Sequence, residues 1–68
     1  MNHSIAYTSP VTRLRKVSTY KDKRTAIRDA VNLSREGAKN IDVFYFRPGI
    51  GAVSVDWRKV ARSSGLKF

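Results

Sequence analysis

Residues Thr19–Gly37, TYKDKRTAIRDAVNLSREG, form the only long segment of this sequence with clean helical periodicity. At about 100° per residue, its small and apolar side chains, its cations and its acids fall on three separate arcs. The first arc carries Ala26, Ile27, Ala30, Val31, Leu33 and Ser34. The second arc carries Lys21, Arg24, Arg28 and Arg35, together with Asn32. The third arc carries Asp22, Asp29 and Glu36. The pattern predicts one helix with a core face, a basic stripe and an acidic edge.

Both ends of this helix are marked in the sequence. Thr19 followed by Asp22 has the form of a capping box. Gly37 is the residue type that ends helices in a left-handed conformation. Arg35 in the last turn suits the helix macrodipole. We therefore predict a helix over Tyr20–Glu36.

The segment before the helix predicts one strand. Residues Thr12–Ser18 alternate loosely and carry cations on both faces, which is typical of an edge strand that resists pairing with other chains. Residues 1–10 are expected to be flexible or to form a short extra strand, because Pro10 cannot donate to a strand ladder.

The segment after the helix predicts a hairpin. Ile41–Phe46 is aromatic and β-branched, and Ala52–Trp57 alternates strictly, so both segments predict strands. The intervening Arg47–Gly51 contains proline and glycine and predicts the turn between them.

The last element predicted is a short helix over Trp57–Ser64, which Asp56 caps and Gly65 ends. The expected fold class is α+β: a three-stranded sheet with one long helix packed on one face, in the order β-α-β-β plus a short C-terminal helix. The first strand is expected to lie parallel to Ile41–Phe46 through a right-handed crossover.

Composition indicates one small basic domain over residues 1–68. The chain has 14 basic and 5 acidic residues, a formal charge of +9, and is drawn to polyanions such as nucleic acid or an acidic protein surface. Its longest apolar run, Val43–Phe46, is far shorter than a membrane span, and its N-terminus lacks the features of a signal peptide. With no cysteine, we expect a soluble cytoplasmic protein without disulfides.

Residues suited to catalysis are scarce. His3 is the only histidine and belongs to the N-terminal segment, where we expect it to be solvated. The carboxylates are dispersed and match no spacing of a catalytic or metal-binding group. We therefore predict no catalytic residue, no metal site, no cofactor and no enzymatic activity.

The basic stripe supports a nucleic-acid hypothesis. Its cations are predicted to face phosphates: Lys21, Arg24, Arg28 and Arg35. Secondary candidates are Arg13, Arg15, Arg47, Arg58 and Arg62. Such contacts give salt-sensitive binding with little sequence specificity. The competing interpretation is a solvated helix face without a partner.

Two aromatic residues suggest a second surface. Phe44 and Phe46 are expected to point away from the helix, as aromatic side chains that stack on bases do in sheet-based RNA binders. The surrounding IDVFYFRPG lacks the glycine pattern of the RRM signature. The alternative, which we favour on the cost of exposing two phenylalanines, is that they are covered. The expected covers are a second subunit or the residues Ile5, Tyr7, Leu66 and Phe68.

An alternative function is a protein-interaction module or inhibitor that binds an acidic protein surface. Short cysteine-free domains that phages direct against host enzymes or CRISPR complexes offer an analogy of size and fold only. A homodimer formed through the sheet face is compatible with either function.

Overall fold

The computed structural model describes residues 1–66 and contains four strands and two helices. In chain order these are β1 (His3–Thr8), β2 (Arg15–Tyr20), α1 (Lys23–Arg35), β3 (Lys39–Arg47), β4 (Gly51–Val55) and α2 (Trp57–Ser63). The strands form one sheet in the order β2-β1-β3-β4, and every neighbouring pair is antiparallel. The α+β class is confirmed, but the sheet has four strands rather than three.

The additional strand β1 changes the predicted topology. Ile5 is paired with Ser18 of β2 on one side and with Val43 of β3 on the other. β2 is an edge strand, as predicted, but β1 separates it from β3, so the expected parallel pairing of β2 with β3 is wrong. Of the two alternatives for residues 1–10, the extra strand is correct. Pro10 does not prevent it, because β1 ends at Thr8.

The β1–β2 loop occupies part of the predicted strand Thr12–Ser18. Ser9 is buried, and its Oγ accepts hydrogen bonds from the backbone amides of Val11 and Thr12, both at 3.3 Å. Arg13 adopts a positive φ of 60°, outside the extended region that regular strand residues occupy. Because these local hydrogen bonds hold the loop, β2 begins at Arg15.

Helix α1 begins later than the capping-box pattern predicts. Tyr20 belongs to β2 and pairs with His3, so the first residue of the predicted helix is strand and the helix begins only at Lys23. The N-cap is Asp22 rather than Thr19, and its Oδ1 accepts a hydrogen bond from the backbone amide of Thr25 at 2.8 Å. The pairing with β1, which local sequence does not reveal, extends the strand through Tyr20.

The end of α1 follows the prediction. Gly37 has a φ of 96°, and its amide donates to the carbonyl of Ser34 at 3.2 Å. The amide of Ala38 donates to the carbonyl of Leu33 at 3.0 Å. This pair of hydrogen bonds is a Schellman motif, which requires a left-handed residue at the position of Gly37.

Helix α2 is capped at both ends by the predicted residues. The Oδ1 of Asp56 accepts a hydrogen bond from the backbone amide of Lys59 at 3.2 Å. At the other end Gly65 has a φ of 79°, and the amide of Leu66 donates to the carbonyl of Ala61 at 2.9 Å. The sequence Asp56 to Gly65 therefore encodes a complete short helix.

The predicted β3–β4 hairpin is present, but β4 ends at Val55 rather than at Trp57, which belongs to α2. The amide of Ile50 donates to the carbonyl of Arg47 at 3.1 Å, and Gly49 has a φ of 78°. Pro48 followed by a glycine with positive φ is the pattern of a type II turn.

At the other end of β3, Asn40 has a φ of 53° and is an extra residue at the irregularity in the β1–β3 pairing.

Both helices pack on the same face of the sheet. Ile5 and Val43 of the central strands lie beneath them, fully buried. The helix residues buried against them are Ala26, Ile27, Ala30, Val31, Trp57 and Ala61. The indole Nε1 of Trp57 also donates a hydrogen bond to the carbonyl of Ile41 at 3.2 Å, which ties α2 to β3. The core face predicted for α1 is confirmed.

Within residues 1–66, neither helix has the length and the apolar composition that crossing a bilayer requires.

Candidate nucleic-acid interface

The cations of this protein lie on its surface. Every lysine and arginine within residues 1–66 is exposed. The structure distributes the predicted site residues over several places: the layer of the two helices, the β1–β2 loop with the neighbouring end of the sheet, and the β3–β4 hairpin.

One group of cations lies in a groove between α1 and α2, which we call the interhelix groove. Its volume is about 450 Å³, and its lining residues are Lys23, Arg24, Ile27, Arg28, Val60, Ser64 and Leu66. Three cations therefore border one groove whose remaining lining is mainly apolar. Two of them, Arg24 and Arg28, belong to the predicted stripe and stand one helical turn apart.

Lys23 is a groove residue that the helical pattern missed. It lies about 100° around the helix from Arg24, outside the predicted stripe. The packing of α2 beside α1 brings it to the groove, and periodicity within one helix carries no information about that neighbour.

The other two stripe residues do not line the groove. Lys21 precedes α1, and Arg35 is the last residue of the helix. A helix of 13 residues is about 20 Å long, so these two cations mark its opposite ends. Of the predicted stripe, Arg24, Arg28 and Arg35 are exposed on α1, whereas the expected place of Lys21 on the helix is wrong.

A second group of cations surrounds the β1–β2 loop. Arg13 and Lys39 line a depression of about 410 Å³ together with Thr8 and loop residues. Nearby, the Nη1 of Arg15 donates hydrogen bonds to the backbone carbonyl of Asn40 and, at 3.5 Å, to the Oγ1 of Thr8. Arg13 and Arg15 were predicted as secondary contacts, whereas Lys39 was not predicted.

The remaining predicted cations are exposed but lie outside these two groups. The guanidinium of Arg58 lies 4.9 Å from the centroid of the Trp57 ring, a cation–π contact. Arg62 is in the last turn of α2, and Arg47 is the last residue of β3.

Several acids have structural roles. Asp22 and Asp56 cap the helices. Asp29 of the predicted acidic edge accepts a hydrogen bond from the hydroxyl of Tyr20. Burial, followed by this hydrogen bond, raises the pKa of Tyr20 to about 12. The backbone amide of Thr25 lowers the pKa of Asp22. Three of the five acids are therefore engaged in holding the fold together.

The sheet face opposite the helices is uncovered within the described residues, and we call it the open sheet face. Register and alternation place on it Ser4, Ala6, Arg15, Val17, Thr19, Asp42, Phe44, Phe46, Ala52 and Ser54. The hydroxyls of Ser4 and Thr19 are 3.2 Å apart across two strands, which is consistent with this assignment.

Phe44 and Phe46 lie on this face, as predicted. Their ring centroids are 5.7 Å apart at an interplanar angle of 87°. Phe46 is 64% exposed, whereas Phe44 is partly buried.

The favoured prediction that other parts of the chain cover these rings is wrong for three of the four proposed covers. Ile5 is buried in the core, and Tyr7 and Leu66 pack against that core. These three side chains therefore belong to the helix side of the sheet. Phe68 lies outside the described residues.

His3 is buried, contrary to the expectation that it is solvated. It lies in β1, its ring centroid is 5.0 Å from that of Tyr45, and its Nδ1 is 3.2 Å from the carbonyl oxygen of Met1. The pairing of β1 at the centre of the sheet accounts for this burial. Among residues 1–66, His, Cys, Asp and Glu form no group of three or more that is able to hold a metal ion.

No family model, curated protein or solved structure matches the chain.

Proposed function

We propose that this protein binds nucleic acid, mainly through phosphate contacts and with little sequence preference. The observation that supports the proposal is the excess of exposed cations in the fold. Every lysine and arginine within residues 1–66 is exposed, whereas the chain has five acids, three of which also cap a helix or accept the hydrogen bond from Tyr20. With a formal charge of +9, the surface favours a polyanion.

The interhelix groove is the proposed centre of these contacts. Lys23, Arg24 and Arg28 border it together, so a phosphate placed at its mouth meets several cations at once. Neutralising phosphates releases condensed counterions, which gives affinity that falls steeply with salt. Arginine adds two parallel hydrogen bonds to phosphate oxygens, which a lysine ammonium does not provide.

The low sequence preference follows from the packing of α1. Four of its residues, including Ile27 and Val31, are buried against the sheet, and α2 packs along it. A helix held in this way has little free surface with which to reach base edges in a major groove. The proposed contacts therefore position the backbone of the nucleic acid without identifying its bases.

The test is a titration of fluorescently labelled duplex DNA and single-stranded RNA at about 50 mM and about 200 mM salt. We expect binding at the lower concentration and a loss of roughly tenfold or more at the higher one. Absence of binding at low salt, or affinity that does not respond to salt, would contradict the proposal.

Two double variants test whether phosphates contact the interhelix groove. Arg24→Ala with Arg28→Ala removes two cations from the groove, and Lys16→Ala with Lys59→Ala removes two exposed cations outside its lining. Both variants lose the same net charge. If the groove holds phosphates, the first lowers the salt slope for duplex DNA by up to about 2, because each phosphate contact contributes about 0.9. Equal slopes in the two variants would contradict a role for the groove.

A second candidate function is binding to an acidic surface of another protein. The observation that favours it is the apolar part of the interhelix groove, formed by Ile27, Val60 and Leu66 beneath the cations. An acidic peptide with an apolar anchor would use both parts, whereas a phosphate backbone would use only the cations. A partner that remains bound after nuclease treatment and is released by Arg24→Glu with Arg28→Glu would support this function.

A further inference from the structure

The open sheet face combines exposed aromatic surface with cations at its margins. Phe46 is 64% exposed at the hairpin end of β3, and Phe44 lies beside it on the same strand. On the adjacent strand β4, Ala52 pairs with Phe46. Val17, 63% exposed, lies on the same face but on the edge strand β2, which β1 separates from β3. An exposed ring is a surface on which the face of a base can stack, and such stacking tolerates any base.

The charge around this face matches a phosphate backbone. The side chain of Arg15 extends across β1 toward β3, as its contacts with Thr8 and Asn40 show. Lys21 and Arg47 are exposed at the same end of the sheet as Phe46. Asp42 is the only acid that the described residues place on the face.

The dimensions of the face disfavour duplex DNA as its ligand. Four strands about 4.8 Å apart span about 14 Å between the outer strand axes, before side chains are added. The major groove of B-DNA is about 12 Å wide and admits a helix or a two-stranded ribbon. Unpaired bases of a single strand can contact the aromatic rings directly, because the sheet does not have to enter a groove to reach them.

A second copy of this chain also fits the face poorly. Two copies with a formal charge of +9 each would repel one another.

We infer that the open sheet face binds single-stranded nucleic acid, with a base stacked on Phe46, an adjacent one at Phe44, and the backbone near Arg15 and Lys21. Arg47 lies at the same end of β3 as Phe46, but alternation places it on the helix side. The inference rests on the proposed function and adds the class of nucleic acid and a second surface, on the opposite side of the sheet from the interhelix groove.

The test measures fluorescence anisotropy of labelled oligomers of about 12 nucleotides, with oligothymidine and oligouridine as single strands and a mixed-sequence duplex of the same length. Phe46→Ala is the principal variant because its side chain is largely exposed and its loss leaves the core intact. We expect it to weaken single-strand binding by about fivefold or more, the effect of losing one stacked base, and to change duplex binding by less than about twofold.

Two further variants separate stacking from other effects. Val11→Ala removes an apolar side chain that is 88% exposed in the β1–β2 loop, away from this face, and should leave both affinities unchanged. Phe46→Trp retains a stacking ring and should restore or strengthen single-strand binding. Comparable binding of oligothymidine and oligouridine would indicate that neither the 2′-hydroxyl nor the thymine methyl group is read, and a preference would be assigned to the sugar only where oligodeoxyuridine binds like oligothymidine.

The outcomes distinguish this inference from the proposed function. If neither single strands nor duplex bind at low salt, the proposed function fails. If both bind and Phe46→Ala leaves single-strand affinity unchanged, the inference alone is wrong. Sedimentation that shows a dimer dissociated by Phe46→Ala would also overturn it, because a second copy would then occupy the face.

Discussion

The hydroxyl of Tyr20 donates a hydrogen bond to the carboxylate of Asp29, which joins the last residue of the edge strand β2 to the middle of α1. This contact holds the strand next to the turn from which the helix starts. It also makes the stability of the fold depend on pH, because burial and the neighbouring carboxylate raise the pKa of Tyr20 from 10.0 to about 12.

The first prediction concerns stability at alkaline pH. A raised pKa means that the folded protein favours the neutral phenol, so the contribution of Tyr20 is fully present below pH 10 and is lost as pH rises toward 12. We expect Tyr20→Phe to lower the free energy of unfolding by about 1 kcal/mol at neutral pH. Urea denaturation followed by circular dichroism should show the difference between the two proteins shrinking between pH 10 and pH 12. A constant difference across that range would contradict the assignment.

The second prediction concerns the N-cap of α1. Asp22→Ala removes the oxygen that accepts from the Thr25 amide, and we expect the melting temperature to fall by roughly 4–8 °C. Asp22→Ser keeps a capping oxygen without a titrating group and should melt close to the original protein.

Acid titration distinguishes the two variants from the original chain. The pKa of Asp22 is lowered by the Thr25 amide, so its stabilising effect is present at neutral pH and is lost as pH falls through that lowered pKa. The stability of the serine variant lacks this dependence on pH, because serine does not titrate. If both variants melt like the original protein at neutral pH, Asp22 is not the functional cap.

The third prediction concerns the end of α1. Gly37 has a φ of 96°, and a Cβ at this position would lie 3.7 Å from the Cβ of Pro10, an ordinary contact. Backbone conformation rather than crowding therefore decides the cost. Gly37→Ala should destabilise the protein by about 1–2 kcal/mol. Gly37→Asn should cost less, because asparagine tolerates the left-handed region. Equal costs, measured by chemical denaturation, would contradict this explanation.

The fourth prediction concerns the attachment of α2. Trp57 is buried and donates its indole hydrogen bond to the carbonyl of Ile41. Trp57→Phe fills much of the same space but loses the donor, and should cost about 1–3 kcal/mol. Arg58→Ala removes the cation above the ring and should cost about 1 kcal/mol or less. The urea denaturation midpoints of the two variants, compared where the denaturation slopes are equal, show which substitution destabilises the protein more.

Local chemistry allowed the helix ends and the turn to be predicted. Asp56, Gly37 and Gly65 act through hydrogen bonds within a few residues, so their roles are encoded in short stretches of sequence. The buried arc of α1 was predictable for a similar reason, because one face of a periodic helix must contact the core.

Long-range pairing was not predictable in the same way. The short β1 lacks a strong local pattern, and its place between β2 and β3 depends on residues such as Val43 that lie far along the chain. The same limit applied to the candidate site. Arg24 and Arg28 were found from one helix, whereas Lys23 and Lys39 became candidates only once packing had brought other segments beside them.

The central position of β1 has a consequence for how the sheet closes during folding. β1 and β2 are joined by a short loop, whereas the whole of α1 lies between β2 and β3, so pairing β1 with β3 closes a much longer loop and costs more chain entropy. Because of the same central position, deletion of residues 1–8 would remove the strand that joins β2 to β3, and the separated pieces would have no common sheet on which to fold.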